Sequence, residues 1–350
     1  MTVSDHAQPS HEDGRASETR EADVVVDIAI PAYQRATYIG EAIESVLAQT
    51  FDRWRLTVCD NGPGGGEIEQ AVRPYLSHPR VSYTASGQET SLAENWTRAI
   101  HQGTAPYVAI LGDDDRWHSG FLGARVEALA AHPECGFVFS EWVQVDEHGN
   151  EVERSPLLFA EGVVSRDVLA HWLTRQNIVT DPTVVVRRSA YHAVGAVFDP
   201  AWHYADWEMW ARLAARFPGY YLARHDNDWR RHAQAVTFTR REEPEQLLAM
   251  ADHIERMFVR ELDGFGPGRL ERARKRSRIL LHSASDVHRA GGWRRSGALY
   301  RRAWREYPLS IFEVSSLQML AHTLVGRRVS RAVAQTGRLL RRGAGFGKPG

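Results

Sequence analysis

The stretch VDIAIPAYQRATYIGEAIESVLAQTFDRWRLTVCDNG, residues 26–62, decides the fold. At its start, Val24–Ile30 is an apolar run that predicts a short buried strand, which Pro31 should end. Apolar residues then recur at helical spacing over Ile39–Leu47, and a second apolar run follows at Leu56–Cys59. The order of strand, helix and strand is typical of a βαβ unit.

The same alternation continues beyond this unit. Further strands are predicted at Val81–Thr84, Tyr107–Leu111 and Phe137–Val143, with helices near residues 92–101 and 121–131 between them. This spacing predicts an α/β fold with a mostly parallel sheet and helices on both faces. After residue 145 the pattern is less regular, and residues 244–306 have a helical period interrupted by glycines.

Three carboxylates follow the fourth predicted strand directly, as Gly112-Asp113-Asp114-Asp115. In a parallel α/β sheet, ligands bind at the carboxyl ends of the strands. Adjacent carboxylates repel each other unless a cation offsets them, and hard oxygen ligands suit Mg²⁺ or Mn²⁺ bridging to phosphate. The alternative is a solvated Asp-rich loop that caps the next helix.

A glycine-rich turn, residues 60–66, follows the second predicted strand. It fits neither a dinucleotide fingerprint nor a Walker A loop, because Glu67 occupies the third glycine position and no Lys is near. Asp60 and Asn61 could instead bind a base or ribose edge, although a simple loop remains the alternative. We expect the neighbouring Cys59 to be a buried apolar residue rather than a nucleophile.

Charge is distributed unevenly along the 350 residues, although the net charge is only -1. From Arg269 onward there are 19 Lys and Arg against 4 Asp and Glu, so the rest of the chain is acidic. Two cysteines without a Cys-x-x-Cys pair give no disulfide framework, which favours a cytoplasmic location. Residues 1–23 are polar and predict a disordered leader, and no apolar run is long enough to span a membrane.

Residues 26–240 resemble the family 2 glycosyltransferases. The opening segment quoted above is similar to that family's first strand-helix-strand unit, SLAENWTRAI (residues 91–100) to its donor-site helix, and YVAILGDDDRW (residues 107–117) to its Asp-x-Asp segment. The resemblance implies a GT-A-type, Rossmann-like fold. It also implies a donor site, formed by Pro31, Ala32, Tyr33, Arg35, Asp60, Asn61, Asn95 and Asp113. Asp114, with Asp115 beside it, would then be the metal ligand.

The second half carries the same resemblance. AVGAVFDPAWHYADWEMWARLA (residues 193–214) looks like the family's acceptor segment, which places the catalytic carboxylate on Asp206. WRRHAQAVT (residues 229–237) resembles an Arg-x-His stretch that places His232 near the metal or diphosphate. Trp202 and Trp207 flank the implied base and could stack on an acceptor sugar.

These residues together imply an inverting transfer of sugar from a nucleoside diphosphate sugar to an acceptor hydroxyl, with Asp206 as the general base. The start of a helix should favour the ionised form of Asp206 and so make it a weak base, and an N-cap is the alternative role. A sugar nucleotidyltransferase, or a non-catalytic binding protein on the same fold, are the competing functions.

The domain expectation is a leader (1–23), a glycosyltransferase domain (24–240, divided at 117/118), a helical module (241–342) and a flexible tail (343–350). The basic residues of the last part form clusters over 272–278 and 327–348. They suit an anionic membrane surface, where a lipid-linked acceptor would be found, and a solvated helix face is the alternative. A saccharide is the other acceptor class, and no motif indicates nucleic acid. We therefore expect a cytoplasmic enzyme, and the basic clusters allow peripheral association with the inner face of the plasma membrane.

Overall fold

The computed structural model describes residues 24–202, 204–233, 235, 244–289 and 293–312. The chain divides into two units. The first draws on residues 1–163, 179–198 and 220–230, and the second on residues 164–178, 199–219 and 231–350. The predicted leader, the flexible tail and the basic cluster at 327–348 lie outside the described residues.

The strands of the described residues form one ten-stranded sheet in the order β3-β2-β1-β4-β9-β6-β10-β5, with β7 beside β6 and β8 beside β10. They are β1 (Val26–Ala32), β2 (Trp54–Asp60), β3 (Val81–Ala85), β4 (Tyr107–Ile110), β5 (Arg116–Trp117), β6 (Phe137–Val145), β7 (Glu151–Arg154), β8 (Gly162–Val164), β9 (Val185–Arg187) and β10 (Gly219–Arg230). Strands β1 to β4 run parallel, so their carboxyl ends share one edge.

Helices connect the strands and make up most of the described residues of the second unit. They are α1 (Ile39–Leu47), α2 (Glu67–Val72), α3 (Leu92–Ile100), α4 (Phe121–Ala131), α5 (Arg166–Leu173), α6 (Arg188–Ala193), α7 (Ala205–Arg216), α8 (Pro244–Glu261), α9 (Arg269–Arg289) and α10 (Trp293–Glu306). Short 3₁₀ turns occur at Arg73–Tyr75, Asp181–Thr183 and Pro308–Phe312. None of the described helices is both long and apolar enough to cross a bilayer.

The core of the first unit follows from the apolar pattern of β1 and α1. Every residue of β1 is buried, as a strand covered on both faces requires. Helix α1 buries Ile39, Ala42, Ile43 and Val46, whose spacing places them on one helix face. The apolar stripe therefore packs α1 against the sheet and fixes the direction in which β1 ends.

In the second unit, α5 and α7 pack against each other, α8 packs on both, and α9 pairs with α10. Ser165 caps α5, because its hydroxyl accepts a hydrogen bond from the backbone N–H of Val168. The apolar residues of α7, among them Trp207, Trp210 and Leu213, are buried.

The predicted α/β class and the βαβ opening are confirmed. The expectation that Pro31 ends the first strand is wrong. β1 continues to Ala32, whose carbonyl accepts a hydrogen bond from the backbone N–H of Asn61 at 2.9 Å. The strand predicted at Phe137–Val143 is β6. It pairs antiparallel with β9, which pairs antiparallel with β4, so the predicted parallel alternation does not extend into this part of the sheet. The predicted domain boundaries stay a prediction.

Candidate active site

Asp60 lies at the carboxyl end of β2, where the parallel strands share an edge. It is buried, and its Oδ2 accepts a hydrogen bond from the hydroxyl of Tyr83 at 2.6 Å. Burial and this carboxylate raise the pKa of the Tyr83 phenol far above its ordinary value. Tyr83 therefore stays protonated and fixes the orientation of Asp60 as an acceptor at the edge of the sheet.

The two predicted donor-site amides are held by internal hydrogen bonds. Asn61 donates to the carbonyl of Thr90 at 2.7 Å and accepts from the Thr90 backbone N–H at 3.0 Å. Asn95 is buried, donates to the carbonyl of Cys59 at 3.1 Å, and accepts from Arg98 at 2.7 Å. These hydrogen bonds fix the loops around Asp60, and direct contact of the two amides with a donor stays a prediction.

The segment after β1 lies close to the aspartate turn, which we define as residues 112–115. The backbone N–H of Tyr33 points to Asp113 Oδ2 at 3.4 Å, and Arg35 Nη2 lies 3.0 Å from Asp113 Oδ1. The same guanidinium lies 3.5 Å from Asp114 Oδ2. Pro31 and Ala32 are buried at the end of the strand itself. The predicted residues Tyr33, Arg35 and Asp113 are thus brought together.

The aspartate turn, residues 112–115, directly follows β4 and presents three carboxylates in different surroundings. Asp113 and Asp115 are buried, and the Asp114 side chain keeps 17% of its surface exposed. Gly112 permits this packing, because a Cβ there would lie 2.6 Å from Asp115 Oδ2. Asp114 is therefore the carboxylate of the three that is best presented to a ligand.

Arg230, at the end of β10, forms hydrogen bonds to the aspartate turn. The sequence did not predict this role. Arg230 is 1% exposed. Its backbone N–H donates to Asp115 Oδ1 at 2.9 Å, and its Nε donates to the carbonyl of Asp114 at 2.9 Å. Nη2 donates to Glu41 at 2.6 Å, and the guanidinium lies 4.4 Å from the centre of the Tyr38 ring. The only sequence signal was its position in the Arg-x-His stretch.

Burial, together with the repulsion between like charges, raises the pKa values of two carboxyl groups in this turn. Burial and the Asp114 carboxylate raise the pKa of Asp113 to about 7, and Arg35 only partly opposes them. The same two causes hold the pKa of Asp115 well above its ordinary value. A cation beside Asp114 would relieve this repulsion, so the electrostatics of the turn favour cation binding.

Whether these residues fit a divalent metal depends on the donor set. Among the described residues, no group of three or more His, Cys, Asp or Glu side chains is arranged as a complete metal site. Mg²⁺, however, is commonly held by one or two carboxylates, with substrate phosphates and water completing the shell. Asp114 offers such an oxygen donor, whereas Asp115 already accepts a hydrogen bond from Arg230. The residues therefore fit a divalent metal whose remaining ligands come from the phosphate groups of a bound ligand and from water.

Asp206 belongs to the second unit and lies in the first turn of α7. The residue before the helix is Tyr204, so Asp206 is not the N-cap that the sequence allowed. Its Oδ2 accepts a hydrogen bond from Asn177 Nδ2 at 2.8 Å. Burial raises the pKa of Asp206 to about 6, against the opposing hydrogen bonds from Trp207 and Asn177. The expectation of a weakly basic carboxylate is therefore wrong, because burial outweighs the helix start.

The aromatic residues near Asp206 differ in their surroundings. Trp207 is 5% exposed, and its indole N–H donates to the carbonyl of Leu173 at 2.8 Å. Its side chain packs within the second unit, and its predicted contact with an acceptor stays a prediction. Trp202 is partly exposed, and its ring centre lies 4.8 Å from that of His253. Trp202 remains the acceptor-site candidate.

Glu208, two residues after Asp206, is also buried but has charged partners. Its Oε2 accepts a hydrogen bond from Arg212 at 2.9 Å, and its Oε1 lies 3.6 Å from His253 Nε2. Burial raises the pKa of Glu208, and the charges of Arg212 and His253 oppose that rise. Glu208 is therefore part of an ion-pair network between α7 and α8, which the sequence analysis did not single out.

The remaining predicted residues are His232 and Cys59. His232 follows β10 in the second unit, and its side chain is buried. Its role as a metal ligand stays a prediction. Cys59 is a free, buried thiol whose pKa burial raises to about 12. The expectation that Cys59 is an apolar core residue rather than a nucleophile is confirmed.

A protein family and a curated relative match this chain. The family model described as glycosyl transferase family 2 matches residues 27–194. Protein CgeD of Bacillus subtilis is 26% identical over 212 residues, which cover 54% of this chain and 46% of CgeD. The matched part thus spans about half the length of this relative.

Solved structures show the same fold at low sequence identity. Staphylococcus aureus TarS 1–349 in complex with UDP-GlcNAc has a TM-score of 0.56 and 12% identity, covering 82% of this chain and 92% of that one. The mannosyltransferase PcManGT from Pyrobaculum calidifontis, in complex with GDP-Man and Mn²⁺, has a TM-score of 0.54 and 16% identity, covering 90% and 79%. The predicted GT-A-type fold is confirmed.

Proposed function

We propose, from the premise that residues 27–194 belong to glycosyl transferase family 2, that this chain moves a sugar from a nucleoside diphosphate sugar to an acceptor hydroxyl. The observation that carries the proposal is the aspartate turn, residues 112–115, at the same sheet edge as Asp60. Ligands of open α/β sheets bind outside the carboxyl ends of the strands. This edge therefore provides acceptors for a nucleoside and, beside them, carboxylates for a metal–diphosphate group.

The donor is proposed to be a nucleoside diphosphate sugar held by the first unit. TarS and PcManGT, whose folds are similar, are described in complex with UDP-GlcNAc and with GDP-Man. Asp60 offers an acceptor for base or ribose hydroxyl groups. Arg35, between Asp113 and Asp114, could pair with phosphate oxygens once a cation neutralises those carboxylates.

Asp114 is proposed as the principal ligand of a divalent metal, with Asp113 or Asp115 assisting and His232 as a further candidate. When bound, Mg²⁺ or Mn²⁺ would neutralise negative charge that develops on the leaving nucleoside diphosphate. Arg230 would keep Asp114 in place through the bond from its Nε to the Asp114 carbonyl. The Mn²⁺ complex of PcManGT is compatible with this assignment.

Asp206 is proposed as the general base. With a pKa of about 6 it is mostly ionised near neutral pH, yet basic enough to accept a proton from the attacking acceptor hydroxyl. As the acceptor oxygen bonds to the anomeric carbon, the bond from that carbon to the diphosphate oxygen breaks and its electron pair leaves with the nucleoside diphosphate. Asn177 orients the carboxylate through its hydrogen bond to Oδ2.

Inversion at the anomeric carbon follows from a single displacement of this kind. A retaining double displacement would need a second carboxylate to act as the nucleophile. The nearest carboxylate along α7 is Glu208, which is engaged by Arg212 and His253. These contacts favour a structural role for Glu208. They therefore support a single displacement in which Asp206 is the base.

The acceptor is proposed to be a hydroxyl of a saccharide or of a lipid-linked saccharide, in the synthesis of a cell-envelope polysaccharide. Trp202 could supply an aromatic face for an acceptor sugar ring, because part of its surface is exposed.

The test is donor hydrolysis without acceptor, because glycosyltransferases of this mechanism can pass the sugar slowly to water. The wild-type protein would be incubated with UDP-GlcNAc or GDP-Man, with Mn²⁺ or with EDTA, and the products identified. Release of nucleoside diphosphate and free sugar, only with the metal, is expected. Release of nucleoside monophosphate would indicate a nucleotidyltransferase instead, and no turnover of any donor in a broad panel would contradict the proposal.

A further inference from the structure

Helix α9 carries five basic residues between positions 272 and 278, and the structure neutralises three of them. Arg272 and Lys275 each donate to Glu255 of α8 at 2.5 Å. Arg276 donates to Asp252 of α8 at 2.7 Å. This side of α9 therefore serves the packing of the second unit, and its charges are not available to a ligand.

Arg274 and Arg278 lie on the other side of the helix. With Glu271 they are spaced at i, i+3 and i+7, which places all three on one stripe of α9. Both arginines are exposed. Within the part of the chain that the structure describes, neither has a carboxylate partner.

Arg175, which follows α5, joins this stripe. Its guanidinium forms an ion pair with Glu271 and also donates to the carbonyl of His171. Burial lowers the pKa of Arg175, and the charges of Arg278 and Arg274 lower it further. The ion pair between Arg175 and Glu271 is the one carboxylate contact described for these three arginines, so three guanidinium groups share this region with one carboxylate. The excess of positive charge is one that an anion would neutralise.

One arginine of this cluster lies close along the chain to the residue that orients the proposed base. Arg175 is two residues before Asn177, whose amide donates to Asp206 Oδ2 at 2.8 Å. The segment that orients the base therefore also carries one arginine of the cluster, and all these residues belong to the second unit.

We propose that Arg175, Arg274 and Arg278 form a binding site for a phosphate group of the acceptor. Planar guanidinium groups bind phosphate through paired, charge-assisted hydrogen bonds, and several arginines together suit a doubly charged group. The acceptor is then a phosphorylated or phosphate-linked saccharide, and the cluster helps to select it. The assignment to the acceptor rests on the proposed function, whereas phosphate binding by the cluster does not.

The test compares R274Q/R278Q with a matched control, R256Q/R260Q. Arg256 and Arg260 are exposed arginines of α8 at the same i, i+4 spacing in the same unit, so the charge change is identical. Inorganic phosphate would be titrated calorimetrically into each full-length protein in EDTA at fixed ionic strength. We expect phosphate affinity to fall about tenfold or more in R274Q/R278Q and to stay at the wild-type value in the control. Equal affinities in all three proteins would overturn the site.

A phospholipid headgroup could supply the same phosphate chemistry, and a second arm separates the two sources. Sedimentation with phosphatidylglycerol vesicles would be measured for the same three proteins. The proposal expects equal vesicle binding by wild type and R274Q/R278Q. If R274Q/R278Q loses vesicle binding together with its affinity for inorganic phosphate, the cluster binds a phospholipid headgroup and the assignment to the acceptor is overturned.

The proposed glycosyltransferase function can be tested independently of this phosphate site. Donor hydrolysis by the wild-type protein needs no acceptor and reports on the first unit. If no donor is hydrolysed while R274Q/R278Q loses phosphate affinity, the glycosyltransferase is contradicted and the phosphate site stands.

Discussion

Burial is the main cause of the raised pKa values at two carboxylate sites of this protein, but only one of these sites adds the repulsion of a neighbouring carboxylate. In the aspartate turn, Asp113 has a pKa of about 7 because it is buried and lies beside the Asp114 carboxylate. Asp206 has a pKa of about 6 through burial, with hydrogen bonds opposing the shift. No neighbouring carboxylate contributes to the shift of Asp206.

The difference in cause indicates a difference in chemistry. A bound cation reduces the repulsion between neighbouring carboxylates. Protonation, in contrast, removes the free-energy cost of burying a single charged carboxylate. The aspartate turn is therefore suited to a metal and Asp206 to proton transfer, as general bases work best with a pKa near the operating pH. Substitutions and pH changes at the two sites should therefore have different effects on metal binding and on proton transfer.

The largest expected effect is on glycosyl transfer by D206N. Without the carboxylate, no group at this position can accept the acceptor proton, and we expect the transfer rate to fall by about 10³-fold. Binding of the donor, followed as its thermal stabilisation of the protein with Mn²⁺, should remain. The control is D167N, which changes another acidic residue in the first turn of a second-unit helix. Wild-type transfer by D206N would remove the base from this account.

A smaller loss is expected from D114N. Removing the best-presented carboxylate should weaken the metal site, and we expect metal-dependent donor hydrolysis to fall by about 100-fold at limiting Mn²⁺. Excess Mn²⁺ should restore part of the rate, since Asp113 and Asp115 remain. The exposed Asp52 provides the control D52N in the same unit. An unchanged Mn²⁺ dependence in D114N would place the metal elsewhere.

The pH dependence of transfer should report the titration of Asp206. Its carboxylate is protonated as the pH falls through about 6, and only the ionised form can act as a base. We expect kcat/KM to fall about tenfold for each pH unit below that value. Donor binding at saturating Mn²⁺ would be followed over the same range, to separate this effect from the aspartate turn. A flat profile between pH 7 and pH 5 would contradict the assignment.

The smallest expected effect is on stability. The folded state raises the pKa of Asp206 from 3.8, so folding favours its protonated form. This contribution to stability is complete below about pH 4 and is lost as the pH rises through about 6. The ionised carboxylate then costs about 2–3 kcal/mol at pH 8. D206N should melt a few degrees higher than wild type at pH 8, with no difference near pH 4. A lower melting temperature for D206N at pH 8 would contradict the burial argument.

The sequence was sufficient to predict the parallel half of the sheet and the aspartate turn. β1, α1 and β2 have periodic apolar residues that local sequence reveals, and the three aspartates come directly after an apolar strand. Strand β10 was not predicted, because its second half is polar. Its half-buried Asp226 is paired with Arg125, and its buried Asn227 donates to the Glu141 carbonyl. These partners lie far away in the sequence, so no local pattern could show that the strand is buried.

The same limit applies to the chemistry of the site. The pKa of Asp206 depends on how deeply α7 is buried, which the helix-start position alone did not indicate. The support that Arg230 gives to Asp114 and Asp115 joins positions more than 110 residues apart. Residue types at strand ends could be predicted, whereas the contacts that set their charge required the structure.

The central claim is that the aspartate turn binds a metal which holds a nucleoside diphosphate. The most direct measurement is calorimetric titration of UDP and GDP into wild type and D114N, each with Mn²⁺ and with EDTA. The account predicts that one nucleotide binds wild type at least about tenfold more tightly with Mn²⁺ than with EDTA, and that D114N loses this difference. Nucleotide binding that is equally tight in EDTA, or an undiminished Mn²⁺ effect in D114N, would contradict it.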